Sequence, residues 1–328
     1  MKKLSLVLVI LLCISCKEDK KENKLIKLTG PVFGTSFNIQ YADDENTDYS
    51  KQIDSLFNNV NQSLSTYITD SDISRLNRNE INEVDHYFVE VFNTSKSIYH
   101  ETEGIFDPTI GNVVNAWNFG AETNKFLTDS TTIDSLMQFV GLNKVGLKNN
   151  KIIKPKGAYL EFNAIAKGYG VDVIGEFLES KNITNYLLEI GGEIRVKGKN
   201  IEKDSPWKVG LDEPRFDGEQ SVFKALELKN EAMATSGTYR KFKVDENGNR
   251  YAHIIDTKTG YPTKTNILSV SVIAPDCMTA DGYATAFQAM GIEKVTSFLK
   301  SHPELKAYFI YEDTDKTLKT LNLNNFPE

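Results

Sequence analysis

The feature that narrows the fold most is the stretch "NYLLEIGGEIRVKGK", residues 185–199. Two apolar-rich runs flank Gly191-Gly192, which reads as strand, tight turn, strand, because glycine supplies the positive φ such turns need. The pattern returns in "GTYRKFKVDENGNRYAHIIDTKTGYP" (237–262), with turns at Asn247-Gly248 and at 257–260. "ILSVSVIAP" (267–275) adds a further strand, and "LIKLTG" and "FGTSFNIQYA" add two near the start, the latter alternating at Phe37, Ile39 and Tyr41. Between them, "YSKQIDSLFNNVNQSLSTY" has helical spacing at Ile53, Leu56, Phe57 and Val60. "VDHYFVEVFNTSKSIYHETEG" reads as a helix closed by Gly104, and "AIAKGYGVDVIGEFLESKN" and "CMTADGYATAFQAMG" as two more. A polar middle, 120–135, leads into short strands and turns up to Phe162. Helices and mostly antiparallel strands with no regular βαβ rhythm make this an α+β chain. No dinucleotide-type glycine fingerprint follows a strand, and there is no Walker loop.

The N-terminus obeys different rules. "MKKLSLVLVILLCISC" has Lys2 and Lys3, an apolar run from Leu4 to Leu12, and small residues before Cys16. That run is short for a bilayer span and suits the core of a secretory signal. The end of the segment looks like a bacterial lipobox, which makes residues 1–15 a signal peptide and Cys16 the lipidated N-terminus. A plain signal peptide cleaved elsewhere is the alternative. Residues 16–28 form a charged tether and 29–328 the folded domain, long enough for one large core or two intimate subdomains. With Cys13 removed and Cys16 acylated, Cys277 is left without a disulfide partner. Losing two lysines and no acid takes the net charge from −7 to −9. That balance argues against a nucleic-acid partner.

Polar groups concentrate in a few segments, each open to a structural explanation. In the helix at 277–291, Asp281 and Thr285 lie one turn apart on one face among alanines; a cap or a solvated face would explain them as well. In "LSTYITDSDISRLN", Ser71 or Asp70 caps a helix, and Tyr67 packs or stacks on a ligand. In "GIFDPTIGNVVNAWNFG", Asp107-Pro108 reads as a helix start and Trp117 as core or pocket wall. Lys167 sits in an apolar, glycine-rich stretch where an ammonium needs an anion, either phosphate or Glu161. Ser236-Gly237 can present hydroxyl and amide groups to an anion, as many simple turns do. His253 and Asp256 have opposite strand parity, so they form no side-by-side dyad unless the strand ends between them.

Taken in order, "FGTSFNI", "LSTYITDSDISRLN", "FDPTIGNVVNAWNFG", "AIAKGYGVD", "IGGEIRVKG", "ATSGTYRKF", "HIIDTKTGYP" and "ADGYATAFQAMG" resemble the ApbE family of FAD:protein FMN transferases. The blocks span roughly residues 30–292. The resemblance implies a T-fold-like α+β architecture with an FAD cleft between two intimate subdomains. It implies an enzyme that uses FAD and Mg²⁺ to move FMN onto a Thr or Ser hydroxyl of a partner, releasing AMP. Typical partners are flavin-carrying subunits of membrane redox complexes, met at the periplasmic side by a lipid-anchored enzyme. Some relatives instead hydrolyse FAD to FMN and AMP, and a non-enzymatic flavin-binding lipoprotein is a third reading.

The same resemblance implies residue roles. Asp281 and Thr285, with the backbone carbonyl of Ala164, hold the magnesium ion. Phe33, Tyr67, Ala116, Trp117, Asn118 and Glu161 contact FAD, while Lys167 and Ser236 address its pyrophosphate. His253 is the base for the incoming hydroxyl, with Asp256 the runner-up or a group that holds the local geometry. The chain departs from the family pattern at several points. Phe33 stands for a usual Met, Glu161 for Asp, Asn163 for Gly, Asn112 for Pro, and Thr257-Lys258 for Pro-Arg. None of these removes an implied metal ligand or base.

Overall fold

Alternation at the start of the chain becomes a hairpin: β1 (Leu25–Val32) pairs antiparallel with β2 (Thr35–Ala42), which buries Phe37, Ile39 and Tyr41 as their spacing predicts. The computed structural model describes residues 24–122, 128–217, 219, 221–239, 242–244 and 250–327. The signal segment 1–15, Cys16 and the turn at Asn247-Gly248 lie outside the described residues. So does the tether up to residue 23. Because β1 begins at Leu25, the fold starts ahead of the boundary at 29 read from the charge pattern.

Helices α1 (Ser50–Leu64), α2 (Asp72–Asn77) and α3 (His86–Glu101) follow. Ser71, not Asp70, caps α2 through its hydroxyl, and Gly104 closes α3 with φ +79° and a bond from its N–H to Tyr99 O. Then come α4 (Gly111–Ala116), α5 (Ser130–Met137), β3 (Gly146–Lys148), β4 (Lys151–Ile153) and α6 (Ala166–Ser180). Two expectations change here. Asp107 opens no helix: its carboxylate accepts from Thr109 N–H and hydroxyl and from Leu142 N–H, so Asp107-Pro108 shapes a turn ahead of α4. Also, "SLM" at 135–137 ends a helix capped by Asp129 rather than starting strands, because Ile133 supplies its buried anchor.

The second half is strand-rich: β5 (Tyr186–Ile190), β6 (Glu193–Lys197), β7 (Trp207–Asp212), β8 (Val222–Leu228) and β9 (Ala232–Gly237). After β10 (Phe242–Val244) and β11 (Arg250–Ala252) come β12 (Ile267–Ala274), α7 (Cys277–Met290), α8 (Ile292–Phe298), β13 (Lys306–Glu312) and β14 (Leu318–Leu323). Eight strands form one antiparallel sheet in the order β1-β2-β5-β6-β9-β12-β13-β14. Its two faces follow the period-2 rule. Leu188 and Ile190 pack with Val171, Ile174 and Leu178 of α6, while Leu187, Ile194 and Val196 pack under the β7–β8 hairpin with Trp207 and Leu228. Strand β12 is buried along its whole length, which suits its eight apolar or small residues. A smaller cluster, with Ile110, Val113, Phe119, Ile133 and Ile255, stands apart from these layers.

Candidate active site

The site is built where α6 and α7 meet at their N-terminal ends. Asp276 caps α7 by accepting from Thr279 N–H at 2.8 Å. The α6 residue Asp172, only 5% exposed, accepts from Cys277 N–H at 3.0 Å and Met278 N–H at 2.7 Å. These bonds satisfy donors that a helix start leaves free. Arg195 of β6 holds the same carboxylate at 2.8 Å. Gly168 lets the helices touch, and its N–H donates to Asp281 Oδ2 at 3.0 Å. Asp281, Thr285 and Ala289 recur every fourth residue, so they share one face of α7, and all three line a cavity of about 330 Å³.

That cavity collects most of the residues singled out from sequence: Tyr67, Glu161, Ala164, Lys167, Ser236, His253, Asp281 and Thr285. Lys167 Nζ donates to Glu193 Oε1 at 2.7 Å and lies 4.0 Å from Asp281 Oδ2. Burial alone would lower the ammonium, but Asp281 and Glu193 raise it, so Lys167 is a fixed positive charge. Burial pushes the Glu193 carboxyl up to about 7 against the pull of Lys167. The partner of Lys167 is therefore Glu193; Glu161 instead accepts from Asn163 Nδ2 at 2.9 Å.

His253 reaches the cavity because β11 ends at Ala252, which removes the parity conflict with Asp256. Asp256 is not on the cavity wall. Its Oδ1 accepts from Lys258 N–H at 2.8 Å and Thr259 N–H at 3.0 Å, and Gly260 N–H returns to its carbonyl. Asp256 thus holds the local geometry of the 256–260 turn, one of the two roles read for it. Thr257 Oγ1 ties that turn to Gly104 O at 2.6 Å, and Trp117 Nε1 ties it to Gly260 O at 2.8 Å.

Ala116, Trp117 and Asn118 also stand behind the wall, to which their segment contributes Val114 and Phe119 instead. Trp117 stacks on Tyr251, with ring centroids 6.1 Å apart. Phe33 lines an adjoining, mostly apolar cavity of about 600 Å³ with Val60, Leu64 and Ile68. Tyr67, Asn163 and Lys167 belong to both cavities. Three alanines of α7, Ala280, Ala284 and Ala286, are core residues, while Ala289 lines the cavity beside Asp281 and Thr285.

Sequence reasoning passed over Glu193 and Thr235 on the wall. For Glu193 a signal existed. "EIRVK" alternates charge and aliphatic, and its charges face α6 in four ion pairs: Glu193 with Lys167, Arg195 with both Asp172 and Glu179, and Lys197 with Glu179.

The ApbE family profile matches residues 33–309. This chain belongs to the ApbE family. A FAD:protein FMN transferase of Haemophilus influenzae is 37% identical, covering 99% of this chain and 98% of its own. One from Vibrio cholerae is 36% identical over 87% of this chain and 86% of its own. The structure of the flavin transferase ApbE from Vibrio cholerae superposes with a TM-score of 0.82 at 33% identity, covering 93% of this chain and 98% of that one. The α+β architecture is thus the ApbE fold, and the cleft of Asp281, Lys167 and His253 lies in it.

Proposed function

We propose that this ApbE-family protein transfers the FMN moiety of FAD to a Thr or Ser hydroxyl of a partner protein, releasing AMP. The observation that carries the reading is the convergence of Lys167, Ser236, His253, Asp281 and Thr285 on one cavity, in a chain whose relatives are FAD:protein FMN transferases.

In the reaction the hydroxyl oxygen attacks the phosphorus of the FMN half. A phosphoester bond forms, the P–O bond to the AMP half breaks, and AMP leaves with the bridging oxygen. Negative charge grows on the phosphates, and Lys167 stands ready with a permanent positive charge. Ser236, at the end of β9, offers a hydroxyl at the same wall. His253 takes the proton of the attacking hydroxyl, a contribution of roughly a hundred- to ten-thousandfold in rate.

The donor set also fits magnesium. Asp281 carboxylate, Thr285 hydroxyl and the Ala164 carbonyl are hard oxygens, and the described residues hold no cluster of three or more His, Cys, Asp or Glu side chains. So few protein ligands suit an ion that keeps positions for substrate oxygens. Bound there, Mg²⁺ would neutralise charge on the diphosphate. The adjoining apolar cavity at Phe33 and Tyr67 would take the flavin ring, and the wall at Glu161 the nucleotide end.

The lipobox-like end of the signal segment supports export and anchoring through Cys16, with the domain facing the periplasm. A flavin-carrying subunit of a membrane redox complex is the acceptor such a location favours. The test is incubation with FAD, Mg²⁺ and a flavin-acceptor domain. A flavin-labelled acceptor and stoichiometric AMP are expected; FMN release without labelling would make the protein a pyrophosphatase, and bound FAD without AMP would make it a carrier.

A further inference from the structure

Glu193 lines the cavity, and the reaction above leaves its chemistry unused. The residue is 3% exposed. Its Oε1 takes the Lys167 ammonium at 2.7 Å, while its Oε2 has almost no accessible surface and no hydrogen-bond partner among the described residues. That oxygen meets a ligand when the carboxylate turns about its soft terminal torsion toward the cavity that Glu193 lines. An unmatched carboxylate oxygen in the interior costs on the order of a few kcal/mol, so a native chain keeps one where something fills it. The candidates separate by charge. Phosphate oxygens would be repelled by a second anion. A second cation would sit beside the ammonium that Oε1 already holds. A neutral donor meets neither objection, and a hydroxyl is the simplest.

Position says which hydroxyl. Lys167 lines both the cavity of Asp281 and Thr285 and the apolar cavity of Phe33, Val60 and Leu64, so it stands at their junction, with Glu193 beside it on the wall of the first. A flavin nucleotide with its ring in the apolar cavity and its diphosphate at Asp281 must pass its linker through that junction. In FAD the linker is the ribityl chain, which carries hydroxyl groups. We propose that Glu193 is a substrate-binding residue whose Oε2 accepts a hydrogen bond from a ribityl hydroxyl of the flavin nucleotide, selecting the polyol linker. Lys167 has two duties in this arrangement. It holds Glu193 in place through Oε1 and keeps the carboxylate compatible with a neighbouring diphosphate. The inference rests on the reading of the cleft as a flavin nucleotide site.

The test is equilibrium binding in EDTA, so that metal and turnover play no part. FAD and FMN are followed by flavin fluorescence, and ADP by competition with FAD, for wild type and Glu193→Gln. Glutamine has one acceptor oxygen to share between Lys167 and the hydroxyl. FAD and FMN should each bind about tenfold more weakly, equivalent to ~1.4 kcal/mol, and ADP, which lacks the ribityl chain, should be unchanged. Unchanged FAD binding would overturn the inference. So would equal weakening of FAD and ADP, which would mean that Glu193 acts only by holding Lys167 against the phosphates. If Glu193→Gln lowers the unfolding temperature, Glu193→Asp keeps the charge and withdraws Oε2, and the same split between ligands decides. A wild-type protein that binds no FAD would sink the reading of the cleft; wild-type binding matched by both variants would sink this inference alone.

Discussion

Gly168→Ala sets two physical effects against each other at one atom. Alanine is the better helix former by ~1 kcal/mol in a helix interior, so propensity alone makes the variant more stable. Packing opposes it. A Cβ at Gly168 would lie 2.3 Å from Cys277 O, 2.7 Å from its carbonyl carbon and 2.8 Å from Asp281 Cβ. Two of these are backbone atoms of the first turn of α7 and cannot swing aside. Restoring an ordinary contact of ~3.5 Å pushes that turn back by roughly 1 Å. Overpacking of this kind costs about 1–3 kcal/mol, and a backbone-to-backbone clash belongs at the upper end, which leaves a net loss of about 2 kcal/mol. The displaced turn carries Asp281, and a misplacement of about 1 Å in a reacting constellation costs on the order of a hundredfold in rate. Thermal unfolding and AMP release from FAD with Mg²⁺ and acceptor measure both effects. Gly175→Ala is the control, because its Cβ would meet only side-chain atoms of Arg195 and Tyr186, at 3.2 Å. A Gly168→Ala protein that is more stable and fully active would refute the claim that this glycine sets the distance between the helices.

Asp281→Ala should give a folded protein without metal-dependent turnover; undiminished AMP release at saturating Mg²⁺ would remove it from the ligand set. His253→Ala should lower turnover by roughly a hundred- to ten-thousandfold and flatten the pH–rate profile near neutrality, and an unchanged profile would exclude it as base. Asp172→Asn breaks a buried ion pair and leaves one of the two α7 N–H groups it serves without an acceptor, so urea unfolding should show a loss of about 3 kcal/mol; a midpoint equal to wild type would show that Arg195 and α7 do not depend on that carboxylate.

Most of the architecture was legible because its signals are local. Alternation marked the strands, Gly191 and Gly192 sit at φ +61° and +103° as the turn requires, and Gly104 ends its helix as read. Asp281, Thr285, Lys167 and Ser236 stood out locally only as polar groups open to a structural explanation; the family resemblance drew them together, and the structure puts all four on one cavity. Errors arose where a polar side chain could serve backbone or ligand equally well. Asp107 spends both oxygens on Thr109 and Leu142 rather than on a helix start. Asp256, read as a base or as a holder of local geometry, gives its Oδ1 to the turn after it, and a sequence does not show which partner wins. Trp117, read as core or pocket wall, packs against the core behind the wall, to which Phe119 two residues on contributes. Glu193 needed a tertiary fact, that β6 lies against α6, before its charge had a meaning.

The ion pairs between β6 and α6 work like teeth on a rack. Successive charges on the strand are two residues apart, and their partners on the helix are five and seven apart, so only one alignment meshes all of them. Sliding the strand by a single residue would turn its aliphatic side chains toward the acids and base of the helix. Lys167 is therefore set by the same engagement that fixes the fold, and damage at the distant Lys197–Glu179 tooth should be felt as play in its ammonium.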